Sequence, residues 1–422
     1  MINSMQLDYK EAELLGSVQL ERSKSISNRV LMVRALCSSP FDMEHLSQAS
    51  DTKILASLLW SEDDTLYAGD AGTSFRFLTA YLCTRWTNKI LTGSARMLER
   101  PIGPLVEALI AMGAQIEYLE SPGFPPISIK GTRHFGQVNE VTVDAKMSSQ
   151  FVSALMLIAP SLPDGLRINL QSEPASATYL LMTKSVMEYF AVKTNFSPEQ
   201  IVILPQKYQA KDISIEADWS AASYFYAMAA LSANCDIQLE GLIQDSWQGD
   251  QVVAIWMEEF GVTTSYTQSG AHLIKTENVK PEFLEIDFGM YPDLAQTMVV
   301  LCAALGIPGL FYGLETLTYK ETDRILALKT ELAKMNVKFY KASHMHSKKK
   351  QHNYFVLEGK AIFPDNLQIE TYGDHRMAMA FAPLALLHPI EILDPTVVKK
   401  SFPQFWQQMD KICSSKDATH PS

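Results

Sequence analysis

Asp374-His375-Arg376-Met377-Ala378-Met379-Ala380-Phe381 begins with a residue suited to capping a helix and continues with apolar side chains on almost every face. An aspartate at such a start accepts a hydrogen bond from an otherwise unpaired backbone N–H. A helix that is apolar all round, rather than along one stripe, belongs in a domain interior. The same pattern occurs five more times. A turn rich in Ser, Thr or Asp opens into an apolar helix at Ser25-Ile26-Ser27-Asn28-Arg29-Val30, Asp70-Ala71-Gly72-Thr73, Ser148-Ser149-Gln150-Phe151, Asp218-Trp219-Ser220-Ala221 and Pro292-Asp293-Leu294.

Anchored on Ser25, Thr73, Ser149, Ser220, Asp293 and Asp374, these turns are 48, 76, 71, 73 and 81 residues apart. One sixth of the chain is about 70 residues, so six such units use up nearly all of it. A second, amphipathic helix recurs at Pro101 to Met112, Gln251 to Phe260 and Thr322 to Met335, followed by short alternating strands such as Gln115-Ile116-Glu117-Tyr118. The unit is strands plus two helices. The first gap is short because Ser61-Glu62-Asp63-Asp64, after a helix expected over Asp51 to Trp60, runs almost directly into the next unit. The first unit therefore lacks a peripheral hairpin.

A chain of 422 residues is too long for one ordinary core, and 47% hydrophobic with 20% charged residues is the balance of a globular protein of two domains. Its net charge of -11 opposes general nucleic-acid binding, although an acidic protein can still carry a locally basic cleft. Cys37, Cys83, Cys235, Cys302 and Cys413 form no CxxC pair and read as buried free thiols, all but Cys235 in helical patterns. The charged start around Asp8, Lys10, Glu11 and Glu13 offers no signal peptide, and the apolar run near Met298 to Leu305 is too short for a membrane span. A cytoplasmic protein is expected, with a disordered polar tail over Ser414 to Ser422.

Each buried helix start exposes unpaired N–H groups and the positive end of a helix dipole. Three such starts converging in each of two domains would make the cleft between them an anion trap. Cationic residues accompany these starts: Lys24, Arg29, Arg76, Arg96, Arg100, Lys320, Arg324 and Arg376. An arginine there can grip a carboxylate or phosphate through paired hydrogen bonds. The residues thus describe a site for small polyanions, with Asp293 and Glu321 available for proton transfer.

The motifs Ser23-Lys24-Ser25-Ile26-Ser27-Asn28-Arg29, Asp70-Ala71-Gly72-Thr73-Ser74-Phe75-Arg76, Glu99-Arg100-Pro101-Ile102-Gly103, Ser148-Ser149-Gln150-Phe151, Lys320-Glu321-Thr322-Asp323-Arg324, Asp374-His375-Arg376-Met377-Ala378-Met379 and Lys400-Ser401-Phe402-Pro403 follow one another in order. Across essentially its whole length the chain resembles the EPSP synthase family of enolpyruvyl transferases. The resemblance implies an α/β fold, a two-domain inverse α/β barrel of six βαβαββ repeats, three per domain, the first truncated. Residues 23–214 would form one domain; 1–22 and 215–422 would form the other, completed by the N-terminal strand.

The resemblance also implies the transfer of an enolpyruvyl group from phosphoenolpyruvate to the 5-hydroxyl of shikimate 3-phosphate. Lys24, Ser25, Arg29, Ser148, Ser149, Gln150, Ser176, Asp293 and Lys320 would hold shikimate 3-phosphate. Lys24, Gly72, Arg100, Gln150, Arg324, Arg376 and Lys400 would hold phosphoenolpyruvate. Asp293 would be the base, Glu321 the acid and Lys24 a third catalytic group. Neither metal nor organic cofactor is implied, and the expected partners are these two substrates, with no nucleic acid or membrane, for a monomer. Three departures from the family stand out: Glu21-Arg22 replaces Pro-Gly, and Thr316 and Asp70 each replace an Asn. The rival readings are a UDP-N-acetylglucosamine enolpyruvyl transferase, an RNA-end cyclase and an impaired anion-binding homologue. The first normally uses a loop cysteine, and no cysteine lies between Cys83 and Cys235. His344, His346 and His352 resemble a metal cluster but are expected on an exposed hairpin tip beside Lys348-Lys349-Lys350.

Overall fold

The computed structural model describes residues 3–144, 146, 148–172, 174–342 and 353–414. The chain divides into two compact units, Ser23–Ile215 and a second made of Met1–Arg22 with Glu216–Ser422.

In the Ser23–Ile215 unit three helices pack against one another: α1 (Lys24–Leu36), α2 (Gly72–Cys83) and α3 (Ser149–Ile158). Almost every residue of α2 and α3 is buried, as helices without a polar face require. Strand Thr65–Tyr67 runs parallel to Asn88–Thr92, which pairs antiparallel with Ile127–Lys130, itself antiparallel to Gln115–Tyr118. A second sheet repeats this order with Glu140–Val143, Leu166–Leu170, Gln200–Ile203 and Asn195–Phe196. The parallel pair needs a crossover, supplied by an interior helix, whereas the antiparallel pair closes as a hairpin. Among the described residues the third sheet holds Met43–Glu44 and Ile213–Ser214, in parallel.

The other unit is built in the same way around α4 (Trp219–Leu231), α5 (Ala295–Leu305) and α6 (His375–Phe381). Glu13–Gln19 runs parallel to Cys235–Glu240, followed by antiparallel Gly270–Lys275 and Val262–Tyr266; Cys413–Ser414 adds to the free edge of Glu13–Gln19. Leu284–Asp287, Gly309–Tyr312, Phe355–Glu358 and Lys338–Lys341 form the next sheet in that order. In the last, Leu367–Ile369 is parallel to Ile390–Leu393, and the N-terminal strand Ser4–Leu7 pairs with the latter. Strands such as Leu284–Asp287 alternate buried and exposed residues, so these sheets cover the helices with one face and meet water with the other.

Four interior helices have a side-chain cap: Ser23, Ser148, Asp218 and Asp374 accept from the N–H of Ile26, Gln150, Ala221 and Arg376. The expected caps of α2 and α5 are corrected. Asp70 instead accepts from the Ser94 hydroxyl, and Asp293 is taken up by ion pairs. The helix expected over Gln251 to Phe260 is also broken, into 3-10 turns Gly249–Val252 and Met257–Phe260 around a single α-turn Val253–Trp256. The tighter winding accompanies the burial of Asp250, which accepts from the Ser220 hydroxyl at 2.5 Å.

All five cysteines are free, but Cys37 and Cys413 are only partly buried, and Cys413 lies in a short strand rather than a helix. His344, His346, His352, Lys348-Lys349-Lys350 and the tail from residue 415 onward lie outside the described residues. Among the described residues no helix is long and apolar enough to cross a membrane.

Candidate active site

The Glu216–Ser422 segment builds a cluster of charge from four separate turns. A 3-10 turn, Pro292–Leu294, carries Asp293 into α5. Lys320 follows the 3-10 turn Glu315–Tyr319 in extended conformation. Asp323 caps the next helix, Arg324–Lys334, by accepting from Ile325 and Leu326 N–H at 3.1 Å, and so sets Arg324 at its first position. Asp374 and Arg376 come from the start of α6, and Lys400 ends the 3-10 turn Pro395–Lys400.

Arg324 is the hub. Its Nε donates to Asp374 Oδ2 at 2.7 Å, and Nη2 reaches Asp374 Oδ1 at 3.3 Å and Glu321 Oε2 at 2.9 Å. Its Nη1 donates to Asp293 Oδ1 at 3.3 Å. The guanidinium is almost fully buried, which disfavours its charge, yet the surrounding carboxylates more than offset that cost and hold it firmly protonated. Asp293 is shared: its other oxygen meets Arg376 Nη2 at 2.8 Å, and Lys320 Nζ stands 3.8 Å away. Arg376 Nη1 also donates to the Tyr224 hydroxyl at 3.1 Å, while Lys400 Nζ lies 3.7 Å from Glu321 Oε1.

Burial lowers the pKa of Lys320 below the usual lysine range, with Asp293 opposing the shift. It pushes the Tyr224 phenol up to about 12. Burial and the nearby charge of Asp293 raise the carboxyl of Asp250.

The Ser23–Ile215 unit gathers the other candidates. Lys24, Ser25 and Arg29 share the first turns of α1. Lys24 Nζ donates to Asp51 Oδ2 at 3.1 Å. Arg29 is buried and turned into the scaffold: it donates to the carbonyls of Ser25 and Tyr179 and to the hydroxyls of Thr183 and Ser153. Burial lowers its pKa to about 10. Gly72 opens α2 against the Arg100 guanidinium, where a Cβ would stand 2.7 Å from Nη2. Only glycine leaves that space. Arg76 is structural, donating to the carbonyls of Gly72 and Pro101. At the start of α3, Ser148 is the cap, Ser149 is buried, and Gln150 Nε2 donates to Thr73 Oγ1 at 3.1 Å. Ser176 precedes Ala177–Tyr189 in a left-handed conformation at φ +60°, strained for a residue with a Cβ.

Asp293, Lys320, Glu321, Arg324, Arg376 and Lys400 are therefore brought together within one unit, and Lys24, Ser25, Arg29, Gly72, Arg100 and the Ser148–Gln150 turn lie within the other. Sequence reasoning missed Asp51, Tyr224, Asp250 and the second role of Asp374. Asp374 was legible as a cap, but no pattern announced that its carboxylate would also bind an arginine fifty positions away. The departures from the family pattern have these places in the structure. Glu21 is buried and accepts from the Arg22 N–H, and Arg22 packs so closely on Gly241 that a Cβ there would be 2.5 Å from Nη1. Thr316 lies within the Glu315–Tyr319 turn.

Solved enolpyruvyl transferases have this architecture. The EPSP synthase of Acinetobacter baumannii superposes with a TM-score of 0.75 at 21% identity, covering 97% of this chain and 98% of that one. The enolpyruvyl transferase NikO of Streptomyces tendae gives 0.71 at 12% identity, covering 98% of each. At those identities the likeness establishes the fold. Sequence carries it further: the model of the family described as EPSP synthase (3-phosphoshikimate 1-carboxyvinyltransferase) matches residues 52–409. A protein of that name from Bacteroides fragilis is 41% identical over 403 residues, 95% of this chain and 96% of its own length. Another from Serratia proteamaculans is 32% identical over 442 aligned positions, 98% of this chain and 99% of its own. The chain belongs to the EPSP synthase family.

Proposed function

We propose that the protein transfers the enolpyruvyl group of phosphoenolpyruvate to the 5-hydroxyl of shikimate 3-phosphate, releasing phosphate. The observation that carries this reading is the position of Arg324, whose one guanidinium holds both Asp293 and Glu321. Base and acid are thereby fixed relative to each other beside further cations, Arg376 and Lys400. An anionic substrate that takes Arg324, Arg376 and Lys400 draws them off the carboxylates. Glu321, losing its cationic partners, then takes up a proton more readily.

From that state Glu321 gives its proton to the methylene carbon of phosphoenolpyruvate. The positive charge formed at C2 is met by the 5-oxygen, whose proton passes to Asp293. The tetrahedral ketal collapses in the opposite sense: phosphate leaves with the proton held by Asp293, and Glu321 recovers one from the methyl group. Once drawn onto the substrate, these cations stabilise the charged intermediates. In this reading Lys24, Gly72, Arg100, Gln150, Arg324, Arg376 and Lys400 serve phosphoenolpyruvate. Lys24, Ser25, Arg29, Ser148, Ser149, Gln150, Ser176, Asp293 and Lys320 serve shikimate 3-phosphate. Arg29 acts there chiefly by fixing the Ser25 carbonyl and the start of α1. Domains of residues 23–214 and of 1–22 with 215–422, a monomeric state and a cytoplasmic location complete the proposal.

Phosphate release tests it. The protein should turn over phosphoenolpyruvate with shikimate 3-phosphate and not with UDP-N-acetylglucosamine, and folded protein inactive with the first pair would refute the reading. Glu321→Ala should lower kcat by roughly 100- to 10,000-fold while shikimate 3-phosphate still binds. Unchanged turnover removes Glu321 from the chemistry.

A further inference from the structure

Glu331 is a fully buried carboxylate that the proposed chemistry does not use. It sits seven residues after Arg324 on the same helix, two turns on and so on the same face. Its Oε1 accepts from the Tyr372 hydroxyl at 2.6 Å; its Oε2 accepts from the Glu370 N–H at 3.1 Å and from Lys334 Nζ at 2.5 Å. The segment from Glu370 to Asp374 is therefore tied to one helix at both ends, by Glu331 at its start and by Arg324 at Asp374.

What lies between those ties is strained. Tyr372 has φ +54° and Gly373 φ +67°, and the Asp374 N–H donates to the Thr371 carbonyl at 2.8 Å. Two successive positive φ values inside such a bond are the mark of a type I′ turn, which favours Asn-Gly at its centre. Tyrosine is a poor residue for that place, costing on the order of 1–2 kcal/mol. Its hydroxyl donates to Glu331 and its N–H donates to Glu370 Oε1 at 3.2 Å, two bonds that hold it in place. On the far side of the turn Asp374 both grips Arg324 and accepts from the Arg376 N–H at 2.9 Å.

We infer that Glu331 is a positioning residue: through Tyr372 it holds the Thr371–Asp374 turn in the shape that presents Arg324 and Arg376 to phosphoenolpyruvate. The part concerning substrate rests on the proposed function; the part concerning the turn does not. Two readouts separate them, taken on the wild-type chain and on Tyr372→Phe, Glu331→Ala and Tyr372→Asn. The first is hydrogen exchange of the backbone amides over residues 371–377. Tyr372→Phe and Glu331→Ala should speed it by about tenfold or more. Tyr372→Asn, which adopts positive φ without an anchor, should stay nearer the wild type. The second is the pair of KM values. That for phosphoenolpyruvate should rise about tenfold in Tyr372→Phe and fall back in Tyr372→Asn, with the value for shikimate 3-phosphate within about twofold throughout.

Exchange unchanged in Tyr372→Phe, or no slower in Tyr372→Asn than in Tyr372→Phe, overturns the inference. So does a parallel rise of both KM values, which would signal general loosening. If the wild-type chain has no turnover, the proposed function fails, and the exchange measurement still decides whether Glu331 holds the turn.

Discussion

Arg324 and Asp374 are joined by two hydrogen bonds across fifty positions of sequence, Nε to Oδ2 at 2.7 Å and Nη2 to Oδ1 at 3.3 Å. This fork locks the plane of the guanidinium. It leaves Nη1 and the remainder of Nη2 directed at Asp293 and Glu321.

Arg324→Lys keeps one positive charge and loses the fork, because an ammonium is a point donor that cannot hold three carboxylates in fixed directions. Each hydrogen bond to a charged group that the ammonium cannot replace costs about 1–3 kcal/mol. We expect kcat/KM for phosphoenolpyruvate to fall by on the order of 100-fold or more, with a lower midpoint of urea denaturation. A variant within about threefold of wild type in steady-state assays would show that the fork is dispensable.

Gly72→Ala tests the contact between α2 and Arg100. The glycine lacks a positive φ, so its backbone accepts alanine, and the nearest atoms to the new methyl belong to the Arg100 guanidinium, which must shift. Stability should change little, because the group that gives way is the far end of a side chain. The displaced guanidinium should raise KM for phosphoenolpyruvate by about tenfold. Calorimetry and initial rates on the same preparation give both quantities, and an unaltered KM would dissociate Arg100 from that substrate.

Asp250 predicts a pH dependence of stability. Burial first, and then the charge of Asp293, push its carboxyl from 3.8 up to about 7 in the folded protein. Its pKa being raised, the folded state binds the proton more tightly than the unfolded state does. The stability it contributes is fully present below the unfolded value and is lost as pH rises through the folded one. Asp250→Asn does not titrate and should gain on the wild type between about pH 4 and about pH 7. Urea denaturation near pH 5 and near pH 8 would measure the change. A constant gap between the two proteins across that range would contradict it.

Much of this was written in the chain as pattern. Met377-Ala378-Met379-Ala380-Phe381 and Trp219 to Ala230 are apolar around the helix, and both segments are buried throughout. That follows from local composition, since a helix without a polar face has nowhere to lie except inside. Ser148 and Asp218 were legible as caps for the same local reason, their partners being the next turn of the same helix. Asp70 and Asp293 misled because nothing nearby in sequence tells a capping aspartate from one claimed by Ser94 or by Arg376. The helix drawn over Gln251 to Phe260 failed similarly, its winding bound up with a contact from Asp250 to Ser220 across thirty positions.

The sequence by itself determined which segments are interior helices, where they begin, and which cations and carboxylates stand at those beginnings. Each of those properties depends on residues within a turn or two of one another. Only the tertiary structure decided which carboxylate each arginine holds, that Arg29 and Arg76 face the scaffold, and that Glu331 reaches Tyr372. Such pairings depend on how distant turns converge after the helices pack. At a few ångströms in a buried place, the nearest opposite charge outweighs every local preference.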